Sequence, residues 1–301
     1  MSQTQKRIAE FLQALANERN SSPHTIRSYG KDLRRFSEFL GSDLDLGEID
    51  HKFIRSFLAE LYAAGLSKAS VAHALATLKS FLKWLGRNGR LAKNPAALVS
   101  APKLPKRLPR VPSIEQLDRA LSPKDDERSS FPERDLLILE LLYGSGLRNS
   151  ELCAIRMQDL SLAKQLLLIR GKGKKERMAP ISDAAAQAIR NYLPRRSEVL
   201  ARANKIAAVE ALLISLRGTP LTSRSVARIV KCHAIAAGLP SETHPHSLRH
   251  AFGSHLLAEG ADLRTIQELL GHERISTTQI YTQLSVEQVS KVYDETHPRA
   301  K

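Results

Sequence analysis

The sequence predicts a mainly α protein of two domains: a four-helix N-terminal bundle, then a larger, mostly helical domain with a small antiparallel sheet. Three observations carry that prediction. Apolar residues recur at three and four through most of the chain, the helical period. A proline-rich stretch at residues 100–112 divides it. One short section, residues 165–180, leaves the helical period for two strand-like runs about a glycine turn. A length of 301 residues suits two ordinary domains, and 42% hydrophobic with 26% charged residues is a soluble globular mixture.

Ile8, Phe11, Leu12 and Leu15 define the first helix. Ser22 before Pro23 reads as an N-cap with proline at the first helical position. Ile26, Tyr29, Leu33, Phe36 and Leu40 mark one face of the helix that follows, and Gly41 stops it. Asp50 caps a third segment with Phe53, Phe57, Leu58 and Leu61 inward, and Ser67 a fourth with Val71, Leu75, Leu78, Leu82 and Leu85 inward. Residues 1–99 therefore form a bundle of about four helices. In residues 100–112, four prolines within eleven residues deny a continuous helix and hold each preceding residue extended, so this is a semi-stiff basic linker. Ser113 and the apolar run Leu136 to Leu142 open the second domain, residues 113–301. Residues 165–170 (QLLLIR) read as a strand, 171–175 (GKGKK) as a turn whose glycines supply positive φ, and 176–180 (ERMAP) as the returning strand. Residues 211–215 (ALLIS) are a candidate further strand. Helices are expected over roughly 182–193, 223–237, 246–258, 263–270 and 286–293.

Charge narrows the function. There are 46 Lys and Arg against 31 Asp and Glu, a net +15. Residues 1–110 hold 19 basic and 9 acidic residues, so the smaller part is the more basic. Such an excess points to a polyanionic partner, double-stranded nucleic acid above all, since Lys and Arg neutralise phosphates. The competing reading is a solvated surface that keeps the protein soluble. In or just beyond the fourth helix, Lys68, Lys79, Lys83, Arg87 and Arg90 form a basic stripe that could enter a DNA groove or simply face solvent. Lys103, Lys106 and Arg107 in the linker can reach phosphates.

Other classes fall away. No apolar run approaches the roughly 18–20 residues of a membrane span, and Met1 to Arg19 is too polar for a secretory signal, so a cytoplasmic protein without membrane contact is expected. Cys153 and Cys232 are far apart and in no CxxC pair, against a disulfide scaffold or a cysteine zinc site. There is no phosphate loop and no dense acidic cluster for Mg²⁺, so no cofactor and no metal are expected.

Several residues could do chemistry. Arg148 sits in GLRNSEL, a glycine-rich turn entering a helix, where a guanidinium fork and free N–H groups suit phosphate oxygens; it could equally bridge to Glu151 at i+3. Lys172 lies at the hairpin tip with Lys174, Lys175 and Arg177: a solvated turn, or a mobile proton donor. His246, Arg249 and His250 share one helical face at i, i+3 and i+4. A zinc site there would lack the HExxH glutamate and would face the repulsion of Arg249, so a phosphate pocket suits the set better. His250 alone, like His244 and His255, reads more readily as a packing residue. His272 follows a helix ending at Gly271. Tyr281 lies in STTQIYT, while Tyr29, Tyr62, Tyr143, Tyr192 and Tyr293 read as structural.

Taken in order, GLRNSEL, GKGKKER, HSLRHAFGSHLL, LLGH and STTQIYT make the chain resemble the tyrosine recombinase (phage integrase) family over nearly its whole length. VSAPKLPKRLP, HPHSLRH and VYDETHPRAK resemble its Xer branch. The resemblance implies an N-terminal SAM-like core-binding domain and a catalytic domain that clamp DNA between them. It implies Tyr281 as nucleophile, Arg148 and Arg249 on the scissile phosphate, Lys172 as general acid, His246 in proton transfer and His272 as a phosphate hydrogen-bond donor. Glu151 matches an acidic supporting position, and His250 is placed behind the arginines as further support. Lys174, Lys175 and Arg177 are expected on DNA. The implied reaction is metal- and ATP-independent and passes through a 3′-phosphotyrosine. The implied setting is chromosome-dimer resolution at a dif-like site with a second, XerD-like recombinase in a heterotetramer, with an FtsK-like translocase as possible activator. The C-terminal helix would dock into a neighbouring protomer. A phage or mobile-element integrase and a non-catalytic DNA-binding protein are the alternatives.

Overall fold

The computed structural model describes residues 2–17, 22–41, 45–103, 111–121, 129–171, 176–204, 210–240, 242–271 and 283–299, the side chains of 283–289 excepted. The chain divides into two compact units, Met1–Arg107 and Leu108–Lys301.

The first unit holds α1 (Gln3–Asn17), α2 (Pro23–Leu40), α3 (His51–Ala63) and α4 (Lys68–Arg87), then a 3₁₀ turn at Pro95–Leu98. Its helix starts follow from hydroxyl and carboxylate caps: Ser22 accepts from the Thr25 amide, Asp50 from Phe53 and Ser67 from Ser70. Gly41 ends α2 at φ +75°. Phe11, Phe36, Phe57 and Phe81 fill the core with Leu33, Ile54, Leu75 and Leu82. On α3 the buried position is Ile54; Phe53, expected inward, is only half-buried against Phe36 and Phe39, because the face is centred one residue later.

The second unit runs α5 (Ile114–Leu121), α6 (Pro132–Gly144), α7 (Asn149–Ala154), β1 (Leu160–Ser161), β2 (Leu166–Arg170), β3 (Glu176–Pro180), α8 (Asp183–Arg202), α9 (Ser223–Ala236), α10 (Pro245–Ala258), α11 (Leu263–Leu270) and α12 (Gln283–Thr296). α6 is buried from Leu137 to Gly144 on every side, which is why its sequence is an apolar run without a period. The sheet is antiparallel in the order β1-β2-β3, with Leu167 opposite Ala179 and Ile169 opposite Arg177. Inward positions alternate: Leu167 and Ile169 on β2, Arg177 and Ala179 on β3.

Three expectations change. α8 does not stop before Pro194 but runs to Arg202. Ile189, Tyr192, Arg196 and Val199 keep the helical spacing across the proline and are all buried, so packing carries the helix through. Residues 211–215 do not join the sheet: only isolated bridges form, Arg156 with Ala211 and Ile214 with Pro220. A few backbone bonds, such as the Leu212 amide to the Ile155 carbonyl at 2.9 Å, and several side chains hold this stretch instead. Arg196 donates to the Ala211 and Leu212 carbonyls and Arg134 to that of Ile214, while the Tyr192 hydroxyl accepts from the Ile214 amide. α12 begins and ends three residues beyond the expected 286–293. It packs in part on its own unit, where the Tyr293 hydroxyl donates to the Gly144 carbonyl. Among the described residues no helix is long and apolar enough to cross a membrane.

Candidate active site

The site grows from one carboxylate. Glu151 is the third residue of α7, and its position there lets it cap the helix start: Glu151 Oε2 accepts the Arg148 amide at 2.9 Å. The same carboxylate gathers three guanidinium groups. Arg148 Nη1 donates to Oε1 at 2.7 Å, Arg177 donates through Nη1 and Nη2 to both oxygens at 3.0 Å, and Arg249 Nη1 lies 3.7 Å from Oε2. Burial acts to raise the Glu151 carboxyl, but Arg177 and then Arg148 outweigh it and hold the pKa at about 2.

The guanidiniums find their second anchors at one helix end. An α-helix leaves its last carbonyls without intrahelical partners. At the end of α11, Arg177 Nε donates to the Leu269 carbonyl at 3.1 Å, Arg249 Nη2 to that of Leu270, and Arg148 Nη2 to that of Gly271 at 3.2 Å. The negative pole of the helix thus faces three cations. Arg249 also donates to the Gly146 carbonyl at 2.5 Å. Two glycines make this geometry possible. Gly146 has φ +59°, and a Cβ there would lie 2.5 Å from Phe252 Cδ1. Gly271 closes α11 at φ +62°, where a Cβ would sit 3.2 Å from Arg177 Cδ.

The charges do not cancel. Three guanidiniums meet one carboxylate, leaving two positive charges at the α7 start and on α10. Arg177 and Arg249 are almost fully buried, whereas the Arg148 side chain keeps 42% of its exposure. Burial first, then the Arg148 charge, lowers the Arg249 pKa to about 10, so it stays charged at neutral pH. His246 lies one turn before Arg249 and is exposed; desolvation, then His244, Arg249, His250 and Arg148, pull its pKa below the ordinary histidine value. Its ring is therefore neutral at pH 7 and able to accept a proton. His244 caps α10, with Nδ1 accepting the Ser247 amide at 3.0 Å.

Of the residues singled out from sequence, Arg148, Glu151 and Arg249 come together with His246 nearby. Two expectations are corrected. Arg177, expected to face DNA from the hairpin, is buried on Glu151, because strand alternation turns it to the inner face with Ala179. His250, expected behind the arginines as support, is exposed, because the turn of α10 that buries Arg249 carries the next residue outward. On α4, Lys68, Lys83 and Arg87 are exposed and Lys79 is half-buried; Lys103 is exposed. Lys106, Arg107, Lys172, Lys174, Lys175, His272 and Tyr281 lie outside the described residues. Sequence reasoning missed the Leu269–Gly271 carbonyls, which no side-chain pattern reveals. It also missed the inward role of Arg177, which the period of two along β3 could have shown.

The three described tyrosines of this unit are structural. Tyr143 meets His255 Nδ1 at 2.9 Å, Tyr192 donates to the Leu212 carbonyl and Tyr293 to that of Gly144. Burial pushes all three hydroxyls above the ordinary tyrosine value, Tyr192 to about 12.

Known proteins agree with this architecture. Residues 113–288 match the phage integrase family, and residues 8–89 match the phage integrase N-terminal SAM-like domain. The chain belongs to the phage integrase family, whose members are tyrosine recombinases. It is 43% identical over 295 residues to the tyrosine recombinase XerC of Myxococcus xanthus, covering 97% of this chain and 98% of the relative. It is 40% identical to the XerC of Thermodesulfovibrio yellowstonii, covering 100% and 99%. A lambda integrase dimer bound to a COC′ core site shares the fold at a TM-score of 0.68 and 22% identity, over 97% of this chain and 77% of that one.

Proposed function

We propose that the Glu151-centred cluster activates a scissile phosphodiester for attack by Tyr281. The observation that carries this is the surplus of positive charge: two guanidiniums beyond what one carboxylate balances, fixed by a helix end and two glycines. Arg148 and Arg249 hold the non-bridging oxygens and stabilise the charge of the five-coordinate transition state. The Tyr281 hydroxyl, ordinarily near pKa 10, attacks phosphorus with neutral His246 taking its proton. The P–O5′ bond breaks and Lys172 protonates the leaving oxygen, while His272 hydrogen-bonds a phosphate oxygen. The product is a 3′-phosphotyrosine and a free 5′-hydroxyl. The 5′-hydroxyl of a second strand then attacks that ester, expels Tyr281 and restores the backbone without ATP.

The XerC names of the relatives support a chromosomal role in the cytoplasm: resolution of dimers at a dif-like site, with a XerD-like partner in a heterotetramer and an FtsK-like activator. Residues 1–99 grip DNA through Lys68, Lys79, Lys83 and Arg87, residues 100–112 add Lys103, Lys106 and Arg107, Lys174 and Lys175 contact DNA from the hairpin, and residues 113–301 cut. The test is a nicked suicide duplex carrying a dif-like sequence, incubated in EDTA with the partner recombinase whose own nucleophile is Phe. Wild type forms a slow covalent band on a denaturing gel and Tyr281→Phe forms none. An adduct in Tyr281→Phe, or none in wild type although the DNA is bound, contradicts the reading.

A further inference from the structure

We infer that Arg177 is a positioning residue for strand cleavage: it locks Glu151 and the end of α11, and through them sets the two phosphate-facing arginines. The inference rests on the catalytic reading above and adds a residue to it. Arg177 makes every contact inward. Its fork grips both Glu151 oxygens at 3.0 Å and its Nε holds the Leu269 carbonyl at 3.1 Å, so one planar group ties β3, α7 and α11 together. All three of its guanidinium nitrogens are already engaged, Nε by Leu269 and both Nη by Glu151, which leaves none to take up a DNA phosphate.

The consequence for the neighbours is geometric. Glu151 has two oxygens and three guanidinium claimants. With both oxygens engaged by Arg177, Arg148 is restrained through Nη1 and the Gly271 carbonyl, and Arg249 is held by the Gly146 and Leu270 carbonyls. Without Arg177, the carboxylate is free to collapse onto Arg148 and Arg249 and neutralise the charge meant for phosphate. The Leu269 carbonyl and the chain leading to His272 lose their anchor as well. Lysine cannot substitute, having one point of charge where three fixed donors are used.

The test compares Arg177→Lys and Arg177→Met with wild type in single-turnover adduct formation, using the suicide duplex with an oxygen or a sulfur at the 5′ bridging position. Sulfur leaves without protonation, so it bypasses any proton donor. Expected is a loss of about 100-fold on both duplexes, with DNA affinity within a few-fold of wild type, since displacements on the order of 1 Å cost that much in rate. In addition, Glu151→Gln combined with either Arg177 variant is no slower than the slower single variant, because the two residues act as a unit.

Three results overturn the inference: a deficit erased by sulfur, which routes Arg177 through the hairpin lysine; a loss of affinity equal to the loss of rate, which makes it a DNA contact; and multiplicative losses in the double variant. Thermal melting monitors folding, and Arg177→Lys, which keeps the charge, decides the matter if Arg177→Met does not fold. Tyr281→Phe runs in parallel: an adduct persisting in it sinks the parent reading, whatever Arg177 does.

Discussion

Two of the ionic clusters described in the second unit have opposite charge arithmetic. Around Glu151, three arginines share one carboxylate, and its pKa is driven down to about 2. Around Arg299, one arginine meets two acids: Glu140 on α6 and Asp118 on α5. There burial outweighs Arg299 and raises the Glu140 pKa. Glu140 Oε2 and Arg299 Nε are also buried without partners among the described residues, whereas no fully buried side-chain atom of the Glu151 cluster is. Beside this second cluster, His297 is fully buried, stacked on Tyr293 at 5.0 Å between ring centres, and its pKa is pushed down to about 3, chiefly by burial. The second cluster fastens the C-terminal segment to α6 with no positive charge to spare. The first keeps a fixed surplus, which is what a site for a phosphate requires. Burial of charge alone therefore does not mark a functional site; the sign and size of the imbalance do.

The contrast can be broken most sharply at Arg249. Arg249→Ala should slow adduct formation by about 10³-fold while DNA affinity in a gel shift changes much less. Equal losses would reduce Arg249 to a binding contact. Next in size, Arg299→Ala should cost about 3 kcal/mol in denaturant unfolding, because Glu140 is left buried and unpaired. Combining Glu140→Gln with Arg299→Met should recover most of that; a double variant as unstable as the single one would show that the pair is not what matters there.

The smallest effect is on pH. The folded pKa of His297, about 3, lies below its ordinary value, so between the two the unfolded chain binds the extra proton. Stability should then fall as pH falls from about 6.5, by at most ~1.4 kcal/mol per unit. The lowered pKa of Glu151 adds a further loss at lower pH, below the ordinary glutamate range. Melting curves from pH 7 to 5 check this, and His297→Phe should flatten them.

Legibility in the sequence followed local chemistry. Ser22, Asp50 and Ser67 announce their helices because a cap and a periodic face lie within a few residues of each other. The helix expected over roughly 182–193 is too short, because the packing of Arg196, Val199 and Leu200 that carries α8 past Pro194 is not a local feature. Leu212, Leu213 and Ile214 look like a strand, yet no neighbouring strand takes up their backbone: the Leu212 amide and the Leu213 carbonyl bond to Ile155 and Leu221, and arginine and tyrosine side chains from distant elements meet Leu212 and Ile214. In the site, Arg148 and Glu151 are legible as a pair three apart, and Arg249 as part of the helical face it shares with His246. Arg177 was hidden in a run of cations that looked like a solvated turn. Its burial depends on Glu151, twenty-six positions away, and on a helix end ninety-two away.

The central claim is that surplus guanidinium charge acts on the charge of the scissile phosphate. The most direct measurement replaces one non-bridging oxygen of that phosphate by methyl, which removes its negative charge, and compares single-turnover adduct formation by wild type and Arg249→Ala on both duplexes. The account predicts that the Arg249→Ala deficit shrinks by about 10-fold or more on the neutral methylphosphonate, since less charge remains to be stabilised. An undiminished deficit on the neutral substrate would contradict it.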